Sequence, residues 1–396
     1  MPERTALLNQ MPENIKTNRL RGETLPGISR REAHRLMDSE SGWDGLEHRV
    51  SQVMSQRKQK MITYSRNVSI PLTTLCRNRC GYCGFFEAPS QVNKQVLPPE
   101  RVYDSLKKGM ASGCREALFI MGERPEDIAP DISHLLRSWG YPNLLDYLYQ
   151  MCKMAIEMNL LPHTNAGVMR KEELARLRPV NASMGLMLES ASLRLCEKGK
   201  PHEFSPGKNP AVRLEHIAEA GRQGIPFTTG ILVGIGELPR ERVDALFALR
   251  ELHNRYGHIQ EIIIQNFCPK KGTPMAGHPV PSFEEMLKTV SVARLIFGER
   301  MNIQAPPNLT SEWYPLFIRA GINDWGGISP VTGDLVNPEK PWPLIDELRR
   351  ETEQMGYQLK ERLPVYPEFL GREGLEVRHK ILTMLDEPGH LREALE

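Results

Sequence analysis

The sequence predicts an α/β fold: parallel strands curled into a partial barrel of six strand–helix units, with a helical lead-in and a closing extension. Two observations carry that expectation. Short, almost wholly apolar runs rich in β-branched residues alternate with longer segments of helical period, as expected of strands covered on both faces by helices. Six such units follow one another, more than most doubly wound sheets use, so the sheet is expected to close or partly close.

Residues 1–60 read as the lead-in, where Ser29 and Glu32 have capping-box spacing at the start of SRREAHRLMDS. The strand candidates are NVSIPLTTL, EALFIMG, LLPHTNAG, ASMGLMLE, PFTTGILVGIG and EIIIQNF. Between them lie helix candidates such as PPERVYDSLKKGMASG, YPNLLDYLYQMCKMAIEM, NPAVRLEHIAEAGRQG and PRERVDALFALRELHNRYG. Asn209 before Pro210 reads as an N-cap with proline at the first helical position. Ser282 and Glu285 repeat the capping box before a further helix, and MNIQAPPNL is a possible seventh strand element. The chain divides into a lead-in (1–60), a barrel core (61–300) and a closing region (301–396) that shapes the substrate site.

With 396 residues, 40% hydrophobic and 25% charged, the chain can bury one large core. A net charge of +2 with mixed signs does not advertise a nucleic-acid groove or a membrane surface. No run is apolar enough to span a bilayer, and the N-terminus lacks the pattern of a secretory signal. Seven cysteines, an odd number with three bunched, suit a reducing cytoplasm better than a disulfide framework.

Those three, Cys76, Cys80 and Cys83 in PLTTLCRNRCGYCGFF, stand where the first strand ends. A redox CxxC needs only two thiols, and structural zinc usually takes four ligands in two separated pairs. A 4Fe–4S cluster on three thiolates leaves one iron free to bind substrate atoms. That reading uses every thiol; zinc stays the alternative. Polar or glycine-rich groups end the other strands too, which is where barrel chemistry gathers.

The C-x3-C-x-aromatic-C spacing, with Tyr82 as the aromatic, resembles the radical S-adenosylmethionine (SAM) family. The resemblance implies a partial (β/α)6-type TIM barrel, a 4Fe–4S cluster on Cys76, Cys80 and Cys83, SAM on the open iron, and an electron donor. Gly122 and Glu123 resemble the second-strand motif that receives the SAM amino group, although Met121 replaces its first glycine. Glu189 resembles the fourth-strand carboxylate that reaches the SAM ribose or amino group, and Arg213 the partner of the SAM carboxylate. Gly230 and Gly234 in GILVGIGE resemble the fifth-strand motif near the adenine.

Residues 304–343, dense in Pro, Gly, Trp and Asn, resemble the deazaflavin-forming branch of that family. LPHTNAGVM, SPGKNP and IIIQNFCPKKGTPM add to the likeness. The branch implies a hydroxybenzyl-ribityluracil adduct as substrate, closed to a deazaflavin with loss of ammonia in coenzyme F420 biosynthesis. It also implies a functional partnership with the radical enzyme that makes the adduct. Asn165, Gln265, Asn266, Asn323 and Asp324 are candidate substrate contacts, and His163 and His202 candidate proton-transfer groups. Two other expectations compete: a sister enzyme of the first deazaflavin step or of menaquinone biosynthesis, and a non-enzymatic zinc module.

Overall fold

The computed structural model describes residues 25–385 apart from 26, 40–41 and 311–312. Two helices precede the barrel, α1 (Arg30–Asp38) and α2 (Asp44–Met54). The Ser29 hydroxyl accepts from the Glu32 amide at 3.2 Å, so the capping spacing in the sequence sets where α1 starts.

The barrel strands are β1 (Met61–Thr73), β2 (Glu116–Met121), β3 (Leu161–Asn165), β4 (Ser183–Gly185), β5 (Phe227–Val233), β6 (Ile259–Asn266), β7 (Asn302–Gln304) and β8 (Asp324–Ile328). Each pairs in parallel with the next, and β1 joins both ends. Ser65 and Arg66 lie opposite Gly327 and Ile328 of β8, while Asn67 to Thr73 run beside β2. A ninth strand, β9 (Gln358–Arg362), pairs with Met61–Ser65. It shares with β2 the edge of β1 that β8 leaves free.

Closure by eight strands corrects the expected six-unit partial barrel. β7 is three residues long, and β8 reads DWGGI, with glycine and an acid where a strand pattern wants β-branched residues. Gly326 is in the left-handed region at φ +79, and a Cβ there would lie 1.9 Å from the Gln304 amide nitrogen. Close approach explains that glycine; local pattern does not reveal it.

The crossover helices bury their apolar faces on the barrel. α3 (Pro210–Arg222) begins at Asn209, whose side chain accepts from the Ala211 amide. α4 (Phe283–Phe297) begins at Ser282, which caps the Glu285 amide. Past β9, Leu363, Val365, Tyr366 and Phe369 pack with Leu161 and Ala182 at the N-terminal ends of β3 and β4, closing the barrel bottom. The C-terminal strand ends remain as the mouth. Among the described residues no helix is long and apolar enough to cross a membrane. All seven cysteines are free thiols.

Candidate active site

Beyond β1 the chain leaves the barrel and folds Cys76, Cys80 and Cys83 into one loop. Its amides bind a second loop, between β4 and α3. Arg79 N donates to Phe204 O at 3.0 Å and Gly81 N to Pro201 O at 2.8 Å. The Asn78 side chain accepts from Gly207 N at 2.8 Å.

Several donors point at sulfur. Cys76 Sγ accepts from Glu123 N at 3.1 Å and from Asn78 N at 3.4 Å, and the Ser205 hydroxyl lies 3.3 Å from Cys80 Sγ. Burial pushes the Cys76 and Cys80 thiols up; these donors, and the Lys208 ammonium at Cys80, act the other way. Such donors stabilise thiolate bound to metal. A Cβ on Gly122 would stand 2.0 Å from Leu75 O and 2.7 Å from Cys76 Cβ, so this glycine lets β2 press against the loop. Three thiols, sulfur-directed donors and a tight glycine contact fit a cluster. Among the described residues no three His, Cys, Asp or Glu side chains converge on one ion position, whereas a cubane's ligands sit on separate irons.

Beside the loop runs a chain of buried charges. Glu123, 3% exposed, accepts from Arg77 Nε and Val168 N, each at 2.9 Å, with Arg213 Nη2 at 4.0 Å. Burial raises its carboxyl, but Arg213, the Val168 amide and Arg77 together hold it below the usual range. Glu189 pairs with the Lys208 ammonium; against burial, Lys208 and Arg213 keep it ionised. The Glu189 backbone sits at φ +65 and that of Arg124 at φ +47. Left-handed side-chain-bearing residues each cost of order 1–3 kcal/mol and cluster at functional sites. Glu189 is held there by bonding both ways with β5, its N–H to Gly230 O at 3.1 Å and its carbonyl from Leu232 N at 2.9 Å.

Inside the barrel lies a cavity of about 240 Å³. Strand register arranges its wall in levels, because alternate residues face inward. Asn67 and Glu116 are paired at the lowest, with Glu261 and Arg362. Ser69, Leu118, His163 and Ile263 come next; Ile120, Asn165, Met187 and Gln265 line the upper wall. The segment Asp334–Asn337 with Trp342 forms a roof. Lys270 ties that roof down through Asn337 Oδ1 at 2.7 Å and through Glu339. Met187 joins cavity to charged chain, since its carbonyl accepts from Arg213.

The Radical SAM superfamily model matches residues 70–249. A 7,8-didemethyl-8-hydroxy-5-deazariboflavin synthase of Methanocaldococcus jannaschii is 48% identical over 368 residues, covering 92% of this chain and all of that protein. Its counterpart in Methanopyrus kandleri is 51% identical over 313 residues, 79% of this chain and 93% of that one. The chain belongs to this radical SAM family. Among solved structures, HydG, a maturase of the FeFe-hydrogenase, superposes with a TM-score of 0.70 at 19% identity (88% of this chain, 76% of that one). Methylornithine synthase (PylB) superposes with a TM-score of 0.65 at 21% identity, covering 84% and 94%. These two likenesses establish a shared radical SAM-like barrel.

The structure brings together some residues singled out in the sequence and disperses others. Cys76, Cys80, Tyr82 and Cys83 form the thiol loop, with Gly122, Glu123, Glu189, Arg213 and His202 beside it. Gly230 lies beside Glu189, and Gly234 directly follows β5, its amide donating to Glu237 at 2.9 Å. Tyr82 OH and His202 Nε2 are 3.0 Å apart. His163, Asn165 and Gln265 line the cavity; Asn266, Asn323 and Asp324 do not. Asn266 turns to Cys268 Sγ and Leu309 O. Asn323 accepts from Arg294 and Ile303 N and donates to Asn302, fastening β7 to β8. Asp324 is wholly buried against Arg362 at 2.6 Å. Burial, with Lys208 beside His202 and Arg362 beside His163, pushes both imidazoles down to about 3. Sequence reasoning missed Lys208, Glu116, Glu261 and Arg362. The two glutamates left a signal, an acid directly before an apolar run in each of the strands EALFIM and IQEIIIQN.

Proposed function

We propose that this chain forms 7,8-didemethyl-8-hydroxy-5-deazariboflavin from 5-amino-5-(4-hydroxybenzyl)-6-(D-ribitylimino)-5,6-dihydrouracil, by hydrogen abstraction, ring closure and loss of ammonia. One observation carries it: the chain matches the whole length of a relative named for that product at 48% identity. Its three-thiol loop and barrel cavity also meet at Met187 and Arg213.

A 4Fe–4S cluster on Cys76, Cys80 and Cys83 would supply the electron that splits SAM to methionine and the 5′-deoxyadenosyl radical. The protein's part is placement. Backbone at Gly122 and Glu123 would receive the SAM amino group, and Glu189 its ribose or amino end. Arg213 would face the SAM carboxylate, but its Nε and Nη1 are spent on Gly207 O and Met187 O. Lys208, near the Tyr82 ring, would therefore supply a second positive charge. Gly230, Gly234 and Tyr82 would border the adenosyl group.

An alkyl radical attacks any C–H bond in reach, so a roofed cavity that fixes substrate and excludes water is what the chemistry requires. Asn165 and Gln265 offer amide donors and acceptors to the adduct. His163 and His202, pushed down to about 3, are uncharged and weakly basic at neutral pH, so they would offer the substrate hydrogen bonds more readily than they would carry a proton. An electron donor and the first-step enzyme complete the scheme, and the division into lead-in, core and closing region forms part of it.

The test is anaerobic. Protein reconstituted with iron and sulfide is given SAM, a reductant, tyrosine, 5-amino-6-ribitylaminouracil and the first-step enzyme, and deazaflavin fluorescence is recorded. Fluorescence that needs both this chain and SAM supports the proposal. If 5′-deoxyadenosine forms without fluorescence under an active first-step enzyme, the substrate is wrong.

A further inference from the structure

The floor of the cavity holds more acid than base, and its one guanidinium spends four of its five N–H groups on protein partners. Arg362 donates from Nε to Asp324 Oδ2 at 2.6 Å and from Nη2 to Asp324 Oδ1 at 2.8 Å. The same Nη2 reaches Glu261 Oε1 at 3.0 Å, and Nη1 donates to Leu363 O at 3.1 Å. Tyr366 OH donates to Glu261 at 2.8 Å, Thr228 lies 3.3 Å from its other oxygen, and Ser65 donates to Glu116. Among the described residues that line the cavity, Arg362 is the single arginine or lysine, against Glu116, Glu261 and the roof's Asp334.

The cluster of carboxyls and guanidinium is confined to the floor. Above it Glu116 gives way up β2 to Leu118 and Ile120, and Glu261 up β6 to Ile263, with Met187 and Leu335 higher; the polar groups at that height are the amides of Asn165 and Gln265 and the roof's Asp334 and Asn337. The adduct of the proposed function, on which this inference rests, has the same asymmetry: a ribityl chain of hydroxyls at one end and a hydroxybenzyl ring at the other. We infer that the ribityl chain seats on the Glu116–Glu261–Arg362 floor, that the hydroxybenzyl ring lies above it towards the thiol loop, and that the floor rejects a ribityl phosphate.

A polyol hydroxyl both donates and accepts, so it can bond to carboxyl oxygens that still have lone pairs free. A phosphate ester carries about −1.5 to −2 at neutral pH and needs unspent cations or N–H donors. Here one N–H of the guanidinium is left and its charge is already met by Asp324 and Glu261, so a phosphate would meet carboxylates instead. Burial, assisted by Asp324 and Glu116 and opposed by Arg362, pushes the Glu261 carboxyl up to about 7. Glu116 is also raised, chiefly by burial. Protonated carboxyls still serve a polyol and still offer a phosphate no cation. His163, bonded through Nδ1 to Ser183 at 2.7 Å and pushed down to about 3, adds no charge.

The test titrates the fluorescent deazaflavin, and separately its ribityl 5′-phosphate ester, into anaerobically reconstituted holoprotein. The ester should bind about a hundredfold or more weakly than the parent, from like-charge repulsion in a low-dielectric site. At pH 8, above the raised Glu261 value, Glu116→Gln and Glu261→Gln should each narrow that gap by about tenfold. Equal binding of ester and parent by the wild type, which needs no variant, overturns the inference. So does a gap that both variants leave unchanged, or an active wild type that fails to bind the parent. If the wild type neither makes nor binds the deazaflavin, the proposed function falls and takes the inference with it.

Discussion

Gly122→Ala would place a methyl carbon 2.0 Å from Leu75 O, 2.6 Å from Leu75 C and 2.7 Å from Cys76 Cβ. Ordinary contact begins near 3.4 Å, so one side must retreat by more than about 1 Å. Neither side is a flexible tip. Gly122 N is bonded to Thr73 O at 2.9 Å, and Arg77 N to Glu123 O at 2.8 Å, so both backbones are pinned. Overpacking of that kind costs roughly 2–3 kcal/mol. It also moves Cys76 by more than the roughly 0.5 Å that a preorganised site tolerates. The assay is iron and sulfide per chain after anaerobic reconstitution, alongside urea denaturation. Gly122→Ala should hold well under half of the wild-type iron and unfold at lower urea. Gly277→Ala, with nothing near its Cβ, should match wild type in both. Full iron loading and an unchanged midpoint in Gly122→Ala would refute the contact as the reason for the glycine.

Three further outcomes follow from the geometry. Arg213→Ala leaves Gly207 O and Met187 O short of a donor and Glu123 with one fewer cation; it should lose about 3 kcal/mol of stability and weaken SAM binding. An unaltered denaturation midpoint counts against that. The His163 imidazole has a folded value of about 3 against an ordinary 6.5, so between those values the unfolded chain binds a proton that the folded one does not. Its share of stability is therefore full above pH 6.5 and lost as pH falls towards 3. His163→Gln should flatten the stability–pH curve there by up to about 1.4 kcal/mol per unit, and parallel curves would reject the buried neutral imidazole. Lys270→Met unties the roof from Asn337 and Glu339. It should raise the ratio of 5′-deoxyadenosine to deazaflavin several-fold, and an unchanged ratio would mean that the roof needs no tie.

Local chemistry was readable where it is decided locally. Ser29, Asn209 and Ser282 cap helices because a hydroxyl or amide two or three residues ahead of an orphan N–H reaches it in any context. The thiol loop and strand-end carboxylates were readable because strands of one barrel end at one mouth. What stayed hidden depends on partners far along the chain. Glu261 and Arg362 are 101 residues apart, and neither one's neighbours announce the other. Asn323 and Asp324 have the right residue types for substrate contacts, yet Arg294 and Arg362 claim them. For β7 and β8, pairing on both sides sustains strands that propensity alone would not. An ordinary imidazole pKa would suit His163 and His202 to proton transfer, but burial removes it.

If the thiol loop and the roofed cavity form one radical site, 5′-deoxyadenosine and deazaflavin depend on the same thiols. Both are quantified in one anaerobic reaction, for the wild type and for Cys80→Ala. The two products should rise together with the wild type, and both should vanish in Cys80→Ala while the barrel stays folded. Deazaflavin from Cys80→Ala, or 5′-deoxyadenosine at wild-type levels from that variant, would contradict the single site.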